Sequence, residues 1–460
     1  MLRRSVPFLL LLLLLAPARA DVPPDLARLI REGQLAPSEA LLALREAGVD
    51  PAGARELLSA PGSGGTSELR QATLVDRQGR KTTLEVRAPE AAPPARGYPV
   101  VIALHGLRGE GRQLLPLARK LAPPEALLLA PSAQYLPAEA ENEDMWEELG
   151  KPVEEAPEDD PAARRRERFQ RLLRLARDQV FPHWWSYKDD AFPLQALAWA
   201  RQRWPIDPDR VVLLGYSMGG YGTWNVGLRY PDRFAGIVPI AGGISRRENT
   251  GPRDEVSRAL LGNARALPSF FLHGSADPIV PVRFSRTIHE ELSALGAPHE
   301  YIEVPQEGHH LRAFLEGDDS TERLRAWIAE RRRDAHPRRV DHTAVGAYQG
   351  ASYWVRVGAL RGQTARVEAE VLSATGESGQ RIRLRTRGVA SLTVWLDPAL
   401  LDPTAPVTVE LDGAVVHEGP VAPSLEAVLE SWGTRRDPSL VYERMLRLEA
   451  PAPAPTPRSL

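Results

Sequence analysis

The sequence predicts an α/β protein with a doubly wound, mostly parallel sheet, followed by a small, mostly β C-terminal domain. Two observations lead to this prediction. Between residues 98 and 331, short apolar runs alternate with helical patterns, as in chains that cover a parallel sheet with helices on both faces. After residue 340, short alternating runs are separated by turn residues, which is typical of antiparallel strands. The 460 residues are enough for two or three domains.

The first 65 residues divide into two parts. Residues 1–20 combine a basic start, an apolar run over 8–15 and a small-residue site at 18–20, which is the pattern of a secretory signal peptide. We therefore expect a secreted or periplasmic protein with no stable membrane anchor after cleavage. An uncleaved anchor is the alternative, although the apolar run is shorter than the ~20 residues that span a bilayer. Residues 21–65 show helical spacing and end in a glycine-rich linker.

Residues 66–333 are predicted to form the large α/β domain. A hairpin is expected over 69–86, and the continuous apolar runs predict buried parallel strands. The expected strands are 98–104, 126–130, 210–214, 236–240, 269–272 and 300–304, and the expected helices are 194–204, 223–230, 284–295 and 321–331. An insertion at 138–181 is rich first in carboxylates and then in arginines. We interpret it as a solvated surface segment, with a lid over the active site as the alternative.

Residues 340–450 are predicted to form the C-terminal domain. The expected strands are 352–357, 365–372, 381–386, 391–396, 407–411 and 414–417, followed by a helix over 424–432. Residues 451–460 are a proline-rich tail that we expect to be disordered.

Composition excludes several classes of function. The net charge of -2 provides no basic field, so nucleic acid is not expected as a partner. The chain has no cysteine, which excludes disulfides, thiolate metal sites and a cysteine nucleophile.

The strongest chemical signal is the segment Gly215-Tyr-Ser217-Met-Gly219. This G-x-S-x-G sequence directly follows an apolar strand and directly precedes a helix. The pattern is that of a nucleophile elbow, in which a serine sits on a strained turn at the end of a strand. Ser217 is therefore the predicted nucleophile.

A serine hydroxyl needs a base, and the base needs a carboxylate to orient it. Asp277 follows the predicted strand at 269–272, and His309 follows Gly308 after the last predicted strand. The order Ser, Asp, His is that expected of a catalytic triad on such a sheet. On the residues alone, the adjacent His310 remains an alternative base.

Acyl transfer also needs N–H donors for the developing oxyanion. One expected donor is the backbone N–H of Met218, the residue after the nucleophile. The other is the N–H of Leu107, in the turn that follows the strand at 98–104. We assign His105 a structural role in that turn.

Longer motifs resemble a known superfamily. Gly215-Tyr-Ser-Met-Gly-Gly-Tyr-Gly-Thr-Trp224, the segments 230–235 and 239–243, and Leu104-His-Gly, His273-Gly-Ser-Ala-Asp277 and Gly308-His309 occur in order. Together they closely resemble the branch of α/β-hydrolases that includes polyhydroxybutyrate depolymerase-like and feruloyl esterase-like enzymes and the prolyl oligopeptidase catalytic domain. The resemblance implies that His309, rather than His310, is the base.

The expected function is hydrolysis of a carboxylic ester through an acyl-enzyme, with no cofactor or metal. The ester is expected on a small molecule or linked to a polysaccharide. Related peptidases usually carry a β-propeller, and too few residues precede the sheet to form one, which favours an esterase over a peptidase. A catalytically inactive binding module is a further alternative. Four tryptophans are candidates for an aromatic acyl pocket but are more often core residues: Trp146, Trp184, Trp185 and Trp224.

Overall fold

The structure is a computed structural model. It describes residues 24–62, 65–66, 68–75, 79, 81–107, 109–136, 160, 181–183, 191–244, 255–310, 319–372 and 379–451. The α-helices of these ranges are α1 (Pro24–Glu32), α2 (Pro37–Glu46), α3 (Pro51–Ser59), α4 (Gly111–Leu121), α5 (Phe192–Arg201), α6 (Met218–Arg229), α7 (Glu255–Leu260), α8 (Arg283–Leu295), α9 (Asp319–Glu330) and α10 (Leu425–Arg435).

The strands occur in three larger sheets and one short pair. They are β1 (Gln71–Val75), β2 (Lys81–Arg87), β3 (Tyr98–Leu104), β4 (Leu127–Pro131), β5 (Gln134–Leu136), β6 (Phe181–His183), β7 (Ile206–Tyr216), β8 (Gly236–Ile240), β9 (Ser269–Gly274), β10 (His299–Val304), β11 (Arg339–Ala344), β12 (Ala351–Ser352), β13 (Val355–Leu360), β14 (Ala365–Leu372), β15 (Gln380–Arg387), β16 (Val389–Trp395), β17 (Val407–Leu411), β18 (Ala414–Gly419) and β19 (Met445–Glu449).

The largest sheet has the strand order β1-β2-β4-β3-β7-β8-β9-β10. β1 pairs antiparallel with β2, and β2 pairs antiparallel with β4. The remaining six strands are parallel. The predicted α/β class with a doubly wound, mostly parallel sheet is therefore confirmed.

Alternating residues of the central strands build a core on each face of this sheet. Ile102 and Leu213 belong to one apolar cluster, which also contains Trp224. Their neighbours Val101 and Leu214 belong to the cluster on the opposite face, because successive strand residues point to opposite sides. Every residue of β3 is buried, which explains why its sequence shows a continuous apolar run rather than an alternating one.

The C-terminal region is mostly β, as predicted. A five-stranded sheet has the order β11-β14-β15-β17-β18, and a four-stranded sheet has the order β12-β13-β16-β19. They share a core that includes Val367, Ile382 and the fully buried Trp354 and Trp395.

One predicted strand, 352–357, is wrong. The chain turns between β12 and β13, and Tyr353 has a φ of +49° in the left-handed region. Two buried charged side chains hold this turn: Asp232 accepts a hydrogen bond from the Tyr353 N–H at 3.1 Å, and Arg435 donates to the Tyr353 carbonyl at 2.5 Å. These contacts stabilise a conformation that non-glycine residues seldom adopt.

The N-terminal helices pack on the C-terminal helix α10 rather than on the main sheet. Leu26, Leu44 and Leu58 form one apolar cluster with Val428 and Trp432. Across this contact Arg45 pairs with Glu426 at 2.5 Å, and Arg55 pairs with Glu443 at 3.3 Å.

Several predictions fall outside the described residues. These are the signal peptide at 1–20, the tail beyond residue 451, and the insertion at 138–181 except for residues 160 and 181. In the part of the chain that is described, no helix has the length and apolar character needed to cross a membrane.

Candidate active site

Ser217 occupies a sharp turn between β7 and α6. Its φ is +57° and its ψ is −117°, a combination that costs a non-glycine residue of order 1–3 kcal/mol. The Ser217 N–H donates to the carbonyl of Ile240 in the neighbouring strand at 2.9 Å. The strained turn places the hydroxyl at the C-terminal ends of the parallel strands, where the loops that follow several of these strands converge.

Two glycines make this turn sterically possible. A Cβ at Gly215 would overlap the carbonyl oxygen of Gly219, and a Cβ at Gly219 would overlap the carbonyl of Leu104 in β3. Gly219, together with Gly220 and Gly222, also lowers the helix propensity of the first turns of α6. That explains why the helix predicted over 223–230 in fact begins at Met218.

The predicted serine, histidine and aspartate lie in one hydrogen-bonded chain. The Ser217 Oγ is 2.8 Å from the His309 Nε2. The His309 Nδ1 is 2.6 Å from the Asp277 Oδ2. The chain runs from a half-buried hydroxyl to a carboxylate whose side chain is fully buried. Because a carboxylate can only accept, Nδ1 of His309 carries a proton and Nε2 is free to accept the Ser217 hydroxyl proton.

Asp277 is held in place by its own loop. Its Oδ1 accepts backbone N–H bonds from Ile279 at 2.8 Å and Val280 at 2.9 Å. Burial opposes ionisation of this carboxyl, but hydrogen bonds from His273 and His309 outweigh it and lower the pKa of Asp277. Asp277 is therefore ionised at neutral pH, as an orienting carboxylate must be.

The loops after β9 and β10 approach each other closely. The Ala276 N–H donates to the carbonyl of Glu307 at 2.8 Å. A Cβ at Gly274 would overlap the carbonyls of Glu307 and Gly308. Gly274 therefore allows the loop that carries His309 to lie against the loop that carries Asp277.

His273 contributes to the site, although the sequence analysis gave it no role. The side chain is completely buried. Its Nε2 is 2.8 Å from the Val280 carbonyl and 3.4 Å from the Asp277 Oδ2, and its Nδ1 is 2.7 Å from the Ser285 Oγ. It therefore ties the Asp277 loop to helix α8. Its one signal in the sequence was its position at a strand end four residues before Asp277.

Tyr216 was also missed. Its hydroxyl donates to the His309 backbone carbonyl at 2.9 Å. Its ring lies 5.1 Å from the imidazole between ring centroids. Tyr216 thus holds both the backbone and the ring of His309. The alternative base, His310, is exposed, and within the described residues no hydrogen bond joins it to Ser217 or Asp277.

The two predicted oxyanion donors belong to segments next to Ser217. Met218 opens α6, and the first N–H groups of a helix have no acceptor within that helix. The turn containing Leu107 also approaches Ser217, since a Cβ on Gly106 would lie 3.4 Å from the Ser217 Cβ. His105 fixes this turn, since its Nδ1 donates to the Gly106 carbonyl at 2.7 Å and its Nε2 accepts from the Ala133 N–H at 2.9 Å.

Two further expectations concern the surroundings of the site. Trp224 is 1% exposed and packs edge-on against Phe271 in the core, so it does not line an open pocket. Trp146, Trp184 and Trp185 lie outside the described residues. Among the side chains that the structure describes, no group of three or more histidines, aspartates and glutamates could hold a metal ion.

Comparison with known proteins identifies a family of esterases that matches this part of the chain. Residues 88–314 match the family described as Phospholipase/Carboxylesterase. Lysophospholipase-like protein 1 of Mus musculus is 27% identical over 127 residues, which are 27% of this chain and 48% of the mouse protein. The chain thus spans about half the length of this curated relative.

Two solved structures are also similar. S-formylglutathione hydrolase (FrmB) from Staphylococcus aureus is 16% identical, with a TM-score of 0.37, over 58% of this chain and 99% of that one. A CE1 ferulic acid esterase from Anaeromyces mucronatus is 18% identical, with a TM-score of 0.33, over 54% and 89%. Because these scores are low, the assignment rests on the sheet order and the family match. This chain has the fold of the α/β-hydrolases, and residues 88–314 match one of their families.

Proposed function

We propose that this protein is an exported serine hydrolase that cleaves carboxylic esters through an acyl-enzyme. The observation that carries the proposal is the chain from Ser217 Oγ to His309 at 2.8 Å and from His309 to Asp277 at 2.6 Å. The strained turn at Ser217 supports it, because such strain is typical of a nucleophile elbow. The match to a family of phospholipases and carboxylesterases supports ester chemistry.

In the proposed mechanism, His309 accepts the Ser217 proton while Oγ attacks the ester carbonyl. The oxyanion of the tetrahedral intermediate accepts hydrogen bonds from the N–H groups of Met218 and Leu107. When the intermediate collapses, the ester C–O bond breaks and His309 donates its proton to the departing alcohol. Asp277 keeps Nδ1 of His309 protonated and stabilises the imidazolium.

Water then reverses the roles. His309 takes a proton from a water molecule that attacks the acyl-enzyme, and the serine leaves with that proton. The products are a carboxylic acid and an alcohol. The proposed substrates are esters on small molecules or linked to polysaccharides, with feruloyl and acetyl esters the first to test.

Hydrolysis of p-nitrophenyl acetate and methyl ferulate tests the proposal. Ser217→Ala is compared with Ser293→Ala, which changes an exposed serine on α8. We expect turnover by the wild type and by Ser293→Ala, and a fall in kcat of about 10⁶-fold in Ser217→Ala.

A fluorophosphonate probe distinguishes the alternatives. It reacts with an activated serine by forming an O–P bond and releasing fluoride. Labelling of Ser217 without ester turnover would favour a peptidase, to be tested on peptide substrates. No turnover and no labelling would contradict the enzymatic proposal and favour a binding module.

Export is a separate proposal, supported by residues 1–20. Expression of the full chain in a bacterial host should yield a mature protein that begins near residue 21 outside the cytoplasm. An intact N-terminus on membrane-bound protein would favour the uncleaved anchor instead.

A further inference from the structure

The turn that leads from β10 to His309 contains a residue in an unfavourable backbone conformation. The turn is Val304-Pro-Gln-Glu307, and Gln306 has a φ of +60°. A proline in the second position followed by a positive φ in the third is the pattern of a type II turn, which favours glycine or asparagine in that third position. Because Gln306 has a Cβ, the left-handed conformation is costly for it.

The hydrogen bond that closes this turn is weak. The Glu307 N–H and the Val304 carbonyl are 3.4 Å apart, which is beyond the usual range of about 2.7–3.2 Å for an N–H···O bond. A strained residue keeps its conformation only where surrounding contacts hold it. The support for this turn therefore comes from another segment.

Ser275, in the loop after β9, belongs to that segment. Its Oγ accepts a hydrogen bond from the Gln306 N–H at 2.8 Å. Its own N–H donates to the Val304 carbonyl at 2.9 Å, and the Ala276 N–H donates to the Glu307 carbonyl at 2.8 Å. Of these three bonds, only the first uses a side chain. The support at Gln306 therefore depends on a hydroxyl at position 275.

The same contact joins the two loops that carry the acid and the base of the proposed triad. Ser275 is two residues before Asp277. Gln306 is three residues before His309. A change of the backbone angles at Gln306 therefore moves the imidazole relative to the carboxylate. His309 is within hydrogen-bond distance of both Asp277 and Ser217, and small displacements of such groups are costly for catalysis.

We propose that Ser275 is a positioning residue for the catalytic histidine. Its hydroxyl holds Gln306 in the left-handed conformation and thereby keeps the His309 imidazole within reach of Ser217. Ser275 acts through the backbone of the turn and not on the reacting groups. This inference rests on the proposed serine hydrolase function.

The kinetics of p-nitrophenyl acetate hydrolysis test the proposal. Ser275→Ala should lower kcat about fivefold, because one neutral hydrogen bond is lost, and should leave KM unchanged. Ser275→Thr keeps the hydroxyl and should retain most of the wild-type kcat. Ser293→Ala, which changes an exposed serine on α8, should match the wild type.

Replacement of Gln306 by glycine separates positioning through the turn from an effect elsewhere. Glycine adopts a positive φ without strain, so the turn of Gln306→Gly no longer depends on Ser275. Adding Ser275→Ala to Gln306→Gly should therefore lower kcat by less than about twofold. An equal loss of kcat in both backgrounds, or wild-type kcat in Ser275→Ala, would overturn the proposal.

Proton NMR distinguishes a failure of this proposal from a failure of the proposed function. The bond from His309 Nδ1 to the Asp277 carboxylate is short, at 2.6 Å, and its proton should give a downfield resonance that His309→Gln removes. Ser275→Ala should shift or broaden this resonance, and the double variant with Gln306→Gly should recover it. Absence of ester turnover by the wild type would contradict the proposed function alone. A resonance that Ser275→Ala leaves unchanged would overturn the positioning role.

Discussion

Replacement of His273 by phenylalanine tests how Asp277 is held. The Val280 carbonyl can only accept, so Nε2 of His273 carries the proton and Nδ1 accepts from the Ser285 hydroxyl. The phenyl ring keeps most of the volume and removes both nitrogens. The change therefore removes hydrogen bonds and leaves the core filled.

The expected loss of stability follows from these contacts. Two neutral hydrogen bonds contribute about 1 kcal/mol each, and the stranded buried partners add about 1–3 kcal/mol. We therefore expect the free energy of unfolding to fall by about 3 kcal/mol. We also expect kcat on p-nitrophenyl acetate to fall roughly 10- to 100-fold, because small displacements of catalytic groups are costly.

The pH dependence of stability separates positioning from simple packing. The lowered pKa of Asp277 gives stability that is present above its unfolded pKa and is lost as pH falls through the folded value. Loss of the His273 donor raises the folded pKa of Asp277. The difference in stability between wild type and His273→Phe should therefore be larger at neutral pH than at about pH 2.

Ser285→Ala is the control, because it removes the bond to Nδ1 and leaves Nε2 beside Asp277. We expect a loss of about 1 kcal/mol in stability with kcat close to wild type. Wild-type kcat in His273→Phe, or an equal loss of kcat in both variants, would refute a positioning role. So would a stability difference that does not change with pH.

Three other substitutions have clear expected outcomes. Asp277→Asn should lower kcat by about 10⁴-fold while the protein stays folded, because an amide favours the wrong tautomer of His309; activity near wild type would contradict this. Tyr216→Phe should lower kcat roughly fivefold by removing a bond of about 1 kcal/mol to the His309 carbonyl, with circular dichroism unchanged. Gly219→Ala should lower the melting temperature and activity together, since the methyl group meets the Leu104 carbonyl; a stable, active variant would show that α6 can move.

The buried parallel strands were predictable because all their residues are buried, and this burial gives each strand a continuous apolar run in the sequence. Segments 98–104 and 236–240 were predicted with the bounds that the structure has. The serine, acid and base could be located because each follows a strand of one parallel sheet, and such strands end at the same edge. This rule does not distinguish His309 from His310. The hydrogen bond to Ser217 identifies His309 as the base candidate.

Long-range contacts explain what could not be predicted. The turn at Tyr353 depends on Asp232 and Arg435, which are 121 and 82 residues away. β11 carries charged residues in alternation with buried ones and was not predicted from the sequence. The roles of His273 and Tyr216 depend on contacts with residues that are 7 to 93 positions away in the sequence. A single sequence contains no record of these pairings.

The packing of the first helices on α10 has a consequence for biosynthesis. Arg45 and Glu426, which pair across this contact, are 381 residues apart. At a synthesis rate of about 5–20 residues per second, α10 is synthesised roughly 20–80 s after α1–α3, and the apolar faces of α1–α3 stay uncovered until then. During that interval they are available to a chaperone. Helix α10 therefore completes the folding of helices α1–α3, which are synthesised well before it.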